Sequence, residues 1–199
     1  MITILEDQGQ KEGQHRIKNN WFKQNGIDVM RVPLPVGDYI LMNDKVQDVM
    51  NRKSARNIDL KKMDFLGTYT ISVDSKASIG EIEGNIIGKS HARFRDECIL
   101  AQNNGIKLYI LVENEDGVKS MNDLFRWVNP RRVKYLKMKE KQSYGYYQNV
   151  KLPSKPPIDG QTLAKAMCTM ESKYGVKFLF CKPSESASKI IELLSKKGE

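Results

Sequence analysis

A chain of 199 residues, 40% hydrophobic and 29% charged, has the composition of one soluble globular domain, and no apolar run approaches the ~18 residues a membrane helix needs. Cys98, Cys168 and Cys181 are odd in number and widely spaced, which argues against a disulfide framework or a zinc site, and MITILEDQGQ lacks a signal-peptide pattern, so the expected location is cytoplasmic. A net charge of +9 points to a polyanionic partner.

Residues 1–6 (MITILE) read as a first strand and 7–13 as a polar loop. From about Gln14 to Asn25, Ile17, Trp21 and Phe22 recur at helical spacing, and Asn25-Gly26 is a helix stop. Ile27 to Val32 is then a strand leading into the turn at Pro33 to Pro35; a parallel crossover and an antiparallel return both lay the helix on one face of a sheet. Gly37 allows a bend or close approach, Asp38 follows, and Tyr39-Ile40-Leu41 resumes a strand pattern. Residues 43–67 carry Arg52, Lys53, Arg56, Lys61 and Lys62 and read as a solvated hairpin extension with a short helix, the alternative being a loop laid along a nucleic-acid backbone.

Thr68 to Val73 runs as a strand into Asp74-Ser75-Lys76. Ser78 followed by Glu81 is a capping box opening a helix to Ile87, with Glu81 pointing back toward the strand end. His91 to Asn103 is a second helix, and Ile106 to Val112 is the most apolar run, hence the central strand, with Glu113 at its end. Ser120 to Val128 is a short helix closed by Asn129-Pro130. Residues 129–157 show no sustained periodicity and read as a basic, tyrosine-rich loop; between Arg126 and Lys155 there are nine Lys or Arg against the single acid Glu140. Gly160 to Tyr174 is a helix, Val176 to Cys181 a strand, and Glu185 to Lys196 an amphipathic terminal helix. His15 and His91 are isolated and read as surface histidines. The expectation is one α/β domain over 1–199: a core at 1–128, the loop insertion at 129–157, and a helix-strand-helix at 158–199 that completes the domain.

Side chains alternate along a strand, so Asp74 and Lys76 share one face while Val73 and Ser75 take the other. An acid and an amine are held side by side there with the Ser75 carbonyl between them, which is half of a magnesium site, and Asp38 from a neighbouring strand supplies the other half. Asp38 with Asp74-x-Lys76 has the form of the PD-(D/E)xK nuclease signature. Taken alone, the triplet also reads as a strand-end salt-bridge pair.

In order along the chain stand Asp7, Gly37-Asp38-Tyr39, Asp74-Ser75-Lys76, Glu81 followed by Gly84-Asn85-Ile86, Arg93-Phe94, and Ile110-Leu111-Val112-Glu113-Asn114. This order resembles the XPF-type nuclease domain of the restriction-endonuclease-like fold. The match extends through Asn129 to Arg131, Thr169 to Val176 and Phe180-Cys181, as in small phage-encoded single-domain members. Three differences stand out: the family's E-R-K is Asp74-Ser75-Lys76, its D-x-R-E is Asp7-Gln8-Gly9-Gln10, and Glu81 lies one residue farther from the lysine.

The resemblance implies a central mixed sheet flanked by helices and hydrolysis of DNA to a 5′-phosphate and a 3′-hydroxyl. It implies Mg²⁺ or Mn²⁺ held by Asp38, Asp74 and the Ser75 backbone carbonyl, with Asp7 and Glu81 as outer ligands and Lys76 orienting the attacking water. Arg93 is aimed at the active-site phosphate in that family. Arg131, Arg132, Lys134 and Lys137 read as further phosphate contacts on DNA. Members of the family dimerise, and the apolar terminal helix suits either a homodimer or internal packing. A nuclease-fold DNA-binding protein of weak or lost activity is the alternative.

Overall fold

A computed structural model describes residues 2–11, 13 and 15–196. Met1 and Gln14, expected to begin the first strand and first helix, lie outside the described residues, as do residues 197–199. Six strands form one sheet: β1 (Ile2–Asp7), β2 (Ile27–Val32), β3 (Tyr39–Leu41), β4 (Ile71–Lys76), β5 (Lys107–Glu113) and β6 (Lys177–Cys181), in the order β2-β1-β3-β4-β5-β6. β1 pairs parallel with β2, and β4, β5 and β6 pair parallel in series. Only the short β3 is antiparallel to its neighbours, β1 and β4. The sheet is therefore mixed and the fold α/β, as expected, and the parallel β1–β2 pairing settles the first connection as a crossover.

Helices cover both faces: α1 (Arg16–Gln24), α2 (Asp44–Ala55), α3 (Ile79–Ile86), α4 (His91–Asn103), α5 (Met121–Arg126), α6 (Pro130–Ser143), α7 (Gly160–Tyr174) and α8 (Ser186–Leu194). Strict alternation sorts the strand side chains. Leu5, Ile40, Ile110 and Val112 join one core with Ile82 of α3, Phe94 of α4 and Met167 of α7. Ile4, Tyr39, Val73 and Leu111 join a second core with Phe22 of α1 and Ile190 and Leu193 of α8. The apolar face of the terminal helix is thus used inside the domain.

Four expectations are corrected. Half of the segment expected as a loop at 129–157 is α6, capped by the Asn129 side chain, which accepts from Arg131 N at 3.0 Å, with Pro130 at the first helical position. Its Lys, Arg, Leu and Met residues are good helix formers, but the helix buries only Tyr135 and so shows no apolar stripe. Residues 43–67 contain no strand; α2 starts at an Asn43 cap and buries Val46 and Val49. Ile17 is 81% exposed although it keeps helical spacing, and α1 instead buries Lys18 and Phe22. His15 is only 6% exposed: its Nδ1 lies 2.7 Å from Glu6 Oε1 and 2.6 Å from Tyr39 Oη, a partnership that no local pattern announces.

Candidate active site

The reversed direction of β3 builds the site. Because β3 runs against β1 and β4, its first residues arrive beside the last residues of both. Asp7 N donates to Asp38 O at 2.8 Å, and Asp38 N donates to Val73 O at 2.9 Å. Alternation then does the rest: Asp7 lies two residues beyond Leu5, Asp38 two before Ile40, and Asp74 and Lys76 share the same side of β4. All four side chains therefore emerge on the face occupied by α3 and α4. The chain enters β3 through Gly37, whose φ of 71° lies in the left-handed region that favours glycine.

These residues line a cavity of about 470 Å³ that also receives Glu81 from α3 and Arg93 and Glu97 from α4. Asp74 is 2% exposed; its Oδ1 accepts from Lys76 Nζ at 2.7 Å, while Oδ2 is buried without any hydrogen-bond partner. Asp38 Oδ2 accepts from Ser75 N at 2.9 Å and Ser75 Oγ at 3.2 Å, and its Oδ1 accepts from Gln10 Nε2. Asp7 Oδ1 accepts from Leu34 N at 2.9 Å, with Lys62 Nζ 3.6 Å from its other oxygen. Glu81 does point back to the strand end, where it accepts from Ala77 N at 2.8 Å and completes the box with Ser78.

Acids outnumber bases in this confined space, and their protonation responds. Burial, reinforced by the Asp74 charge, pushes the Asp38 carboxyl well above its ordinary value despite the opposing Lys76 ammonium. Burial and then Asp74 likewise lift Glu97 to about 6. Burial alone would lower the Lys76 pKa, but Asp74 and Asp38 outweigh it and hold the ammonium charged. The cluster is short of positive charge, and the unpartnered Asp74 Oδ2 is a hard oxygen of the kind a divalent cation takes. Among the described residues no group of three or more His, Cys, Asp or Glu is arranged to hold a metal by itself. A divalent cation held by Asp38 and Asp74 would have to keep several waters, as Mg²⁺ does.

Of the residues singled out in the sequence, the cavity brings together Asp7, Asp38, Asp74, Ser75, Lys76, Glu81 and Arg93. The basic residues of α6 lie outside it. Arg131 is ion-paired with Glu83 of α3, and Arg132 Nη1 donates to Pro157 O at 2.8 Å. Lys134 and Lys137, with Lys141 and Tyr147, line a separate apolar-floored cleft of about 540 Å³. Glu97 was not anticipated. Its Oε1 accepts from Gly37 N at 2.8 Å, tying α4 to the turn that carries Asp38. The available signal was its i,i+4 spacing from Arg93, which places both on one helix face.

A mixed six-stranded sheet with helices on both faces is an α/β architecture of the restriction-endonuclease-like class. Within that class, the family model for the ERCC4 domain matches residues 7–194, and the chain belongs to the ERCC4 domain family, the XPF-type nucleases. No protein of curated function matches the chain. No helix among the described residues is long and apolar enough to cross a membrane.

Proposed function

We propose that this chain is a Mg²⁺- or Mn²⁺-dependent endodeoxyribonuclease that hydrolyses phosphodiester bonds in branched or structured DNA, in phage replication, recombination or repair. The observation that carries the reading is the convergence of Asp38, Asp74 and Lys76 in one cavity with Asp74 Oδ2 left unpartnered. Asp38, Asp74 and the Ser75 carbonyl would hold the cation, with Asp7 and Glu81 as outer ligands. When bound, such a cation makes water a stronger nucleophile and neutralises charge on the phosphate.

The side chains supply position and charge. Lys76, held by Asp74, presents its remaining N–H bonds to the attacking water and to the phosphate oxygens that gain charge. Arg93 at the cavity rim offers bidentate contact to the scissile phosphate. Water adds to phosphorus, the bond to the 3′-oxygen breaks, and the products are a 5′-phosphate and a 3′-hydroxyl that takes its proton from solvent. Lys134 and Lys137 then engage phosphates farther along the DNA.

The test is incubation of the protein and of Asp74→Asn with labelled flap, fork, four-way-junction and linear DNAs, with and without Mg²⁺ or Mn²⁺. Metal-dependent cleavage by the parent chain, reduced at least a hundredfold in the variant, is the expected result. Undiminished cleavage by Asp74→Asn, or no cleavage of any DNA by the parent, overturns it.

A further inference from the structure

Behind the site, on the sheet face covered by α1 and α8, lies a second polar group that the proposed reaction does not use. Lys18 of α1 is 8% exposed, an unusual place for a lysine. Its Nζ lies 2.6 Å from Glu113 Oε1, at the end of β5, and Ser186 Oγ donates to the same oxygen at 2.8 Å. The ammonium makes a second contact, donating to Ser75 Oγ at 3.3 Å. Ser75 is the middle residue of the Asp74-Ser75-Lys76 triplet, and its side chain points away from the cavity.

The chemistry of these donors fixes a direction. An ammonium only donates, so Ser75 Oγ must accept from Lys18 and turn its own proton elsewhere. The partner in reach is Asp38 Oδ2, 3.2 Å away, which also takes the Ser75 backbone N–H at 2.9 Å. Glu113, Lys18, Ser75 and Asp38 thus form one hydrogen-bonded chain through the sheet, with its charged anchor on one face and its last acceptor in the cavity on the other. A buried ion pair is a weak source of net stability, since desolvation offsets most of the attraction. Orientation of a ligating carboxylate is a role for which such an outer partner is well suited.

We infer that Lys18, fixed by Glu113, is a positioning residue that orients the metal-binding carboxylate of Asp38 through the hydroxyl of Ser75. The inference rests on the proposed metal-dependent reading and adds to it a residue from the opposite face of the sheet. Lys18 does not line the cavity; it sets the Ser75 hydroxyl, and the hydroxyl sets the carboxylate.

The test is calorimetric titration of the full chain with Mn²⁺ alone, without DNA. Ser75→Ala removes the hydroxyl yet keeps the backbone N–H and carbonyl, and it should weaken Mn²⁺ binding about tenfold. Lys18→Met should weaken it by a similar factor, and the two changes together by little more than either one, because both break the same chain. Should Lys18→Met fail to fold with Glu113 left unpaired, Lys18→Met combined with Glu113→Gln removes both charges, and circular dichroism verifies its fold. Additive losses, or an unchanged dissociation constant in folded Ser75→Ala, overturn the positioning role while leaving the nuclease reading intact. Absence of Asp74-dependent Mn²⁺ binding in the parent chain overturns both.

Discussion

Gly37 and Ser72 meet so closely that a Cβ at residue 37 would overlap Ser72 Oγ and stand 3.2 Å from the Val73 carbonyl. The serine is itself fixed, donating to Val36 O at 2.8 Å in the fully buried floor of β4. Gly37→Ala therefore combines overpacking against the sheet with a φ of 71° that a side chain tolerates poorly. We expect a loss of about 2–5 kcal/mol in chemical denaturation. Cleavage should fall further than stability explains, because the next residue is Asp38.

Lys76 is the cation that compensates Asp74. Replacing it with Met leaves a carboxylate buried beside Asp38 with no partner, at a cost of about 3 kcal/mol to the metal-free protein. A divalent ion would then supply the missing charge. Thermal melts should show Mn²⁺ raising the melting temperature of Lys76→Met by more than it raises that of the parent, while cleavage stays lost. An equal Mn²⁺ shift in both would show that the ion does not sit by Asp74.

Glu97 gives the fold a pH signature. Its pKa rises from 4.5 to about 6 on folding, through burial and then the Asp74 charge, so between those values the native state holds more protons than the unfolded one. Stability contributed by the protonated form is complete below about 4.5 and declines as pH rises toward 6, by up to ~2 kcal/mol. Glu97→Gln removes the titrating group. Denaturation midpoints of this variant between pH 4.5 and 6.5 should lose that decline.

The exposed lysines of α6 make an electrostatic prediction. Lys134, Lys137 and Lys141 border one cleft, and none has an ion-pair partner among the described residues. Changing all three to Gln should weaken binding to every DNA tested by a similar factor. It should also reduce the slope of log affinity against log salt by roughly 2–3, as expected for three phosphate contacts. Fluorescence anisotropy across a KCl series provides the measurement.

Much of the architecture was legible because it depends on local pattern. The apolar and β-branched runs placed the strands, Ser78 with Glu81 placed α3, and the order of Asp38, Asp74 and Lys76 pointed to the cavity's central residues. What escaped had no local expression. α6 is a solvated helix whose Lys-rich sequence lacks an apolar stripe, so periodicity was silent where propensity and the Asn129-Pro130 start were informative. His15 and Lys18 are buried only because β1, β3, β4 and β5 surround them with Glu6, Tyr39, Ser75 and Glu113. Glu97 joins the site through the backbone of Gly37, sixty residues away in sequence. The triplet read as poorer by an arginine is backed by an ammonium after all, delivered by another element of the chain.

The three-residue β3 makes cleavage competence a report on assembly. Asp7, Asp38 and Asp74 lie on different segments, and the middle one is located by hydrogen bonds to the backbones of Asp7 and Val73 on either side. A nascent or partly unfolded chain can carry every acid while possessing no centre, because closing the sheet over these long sequence separations is what creates it. A nuclease centre built this way exists only once the sheet is complete.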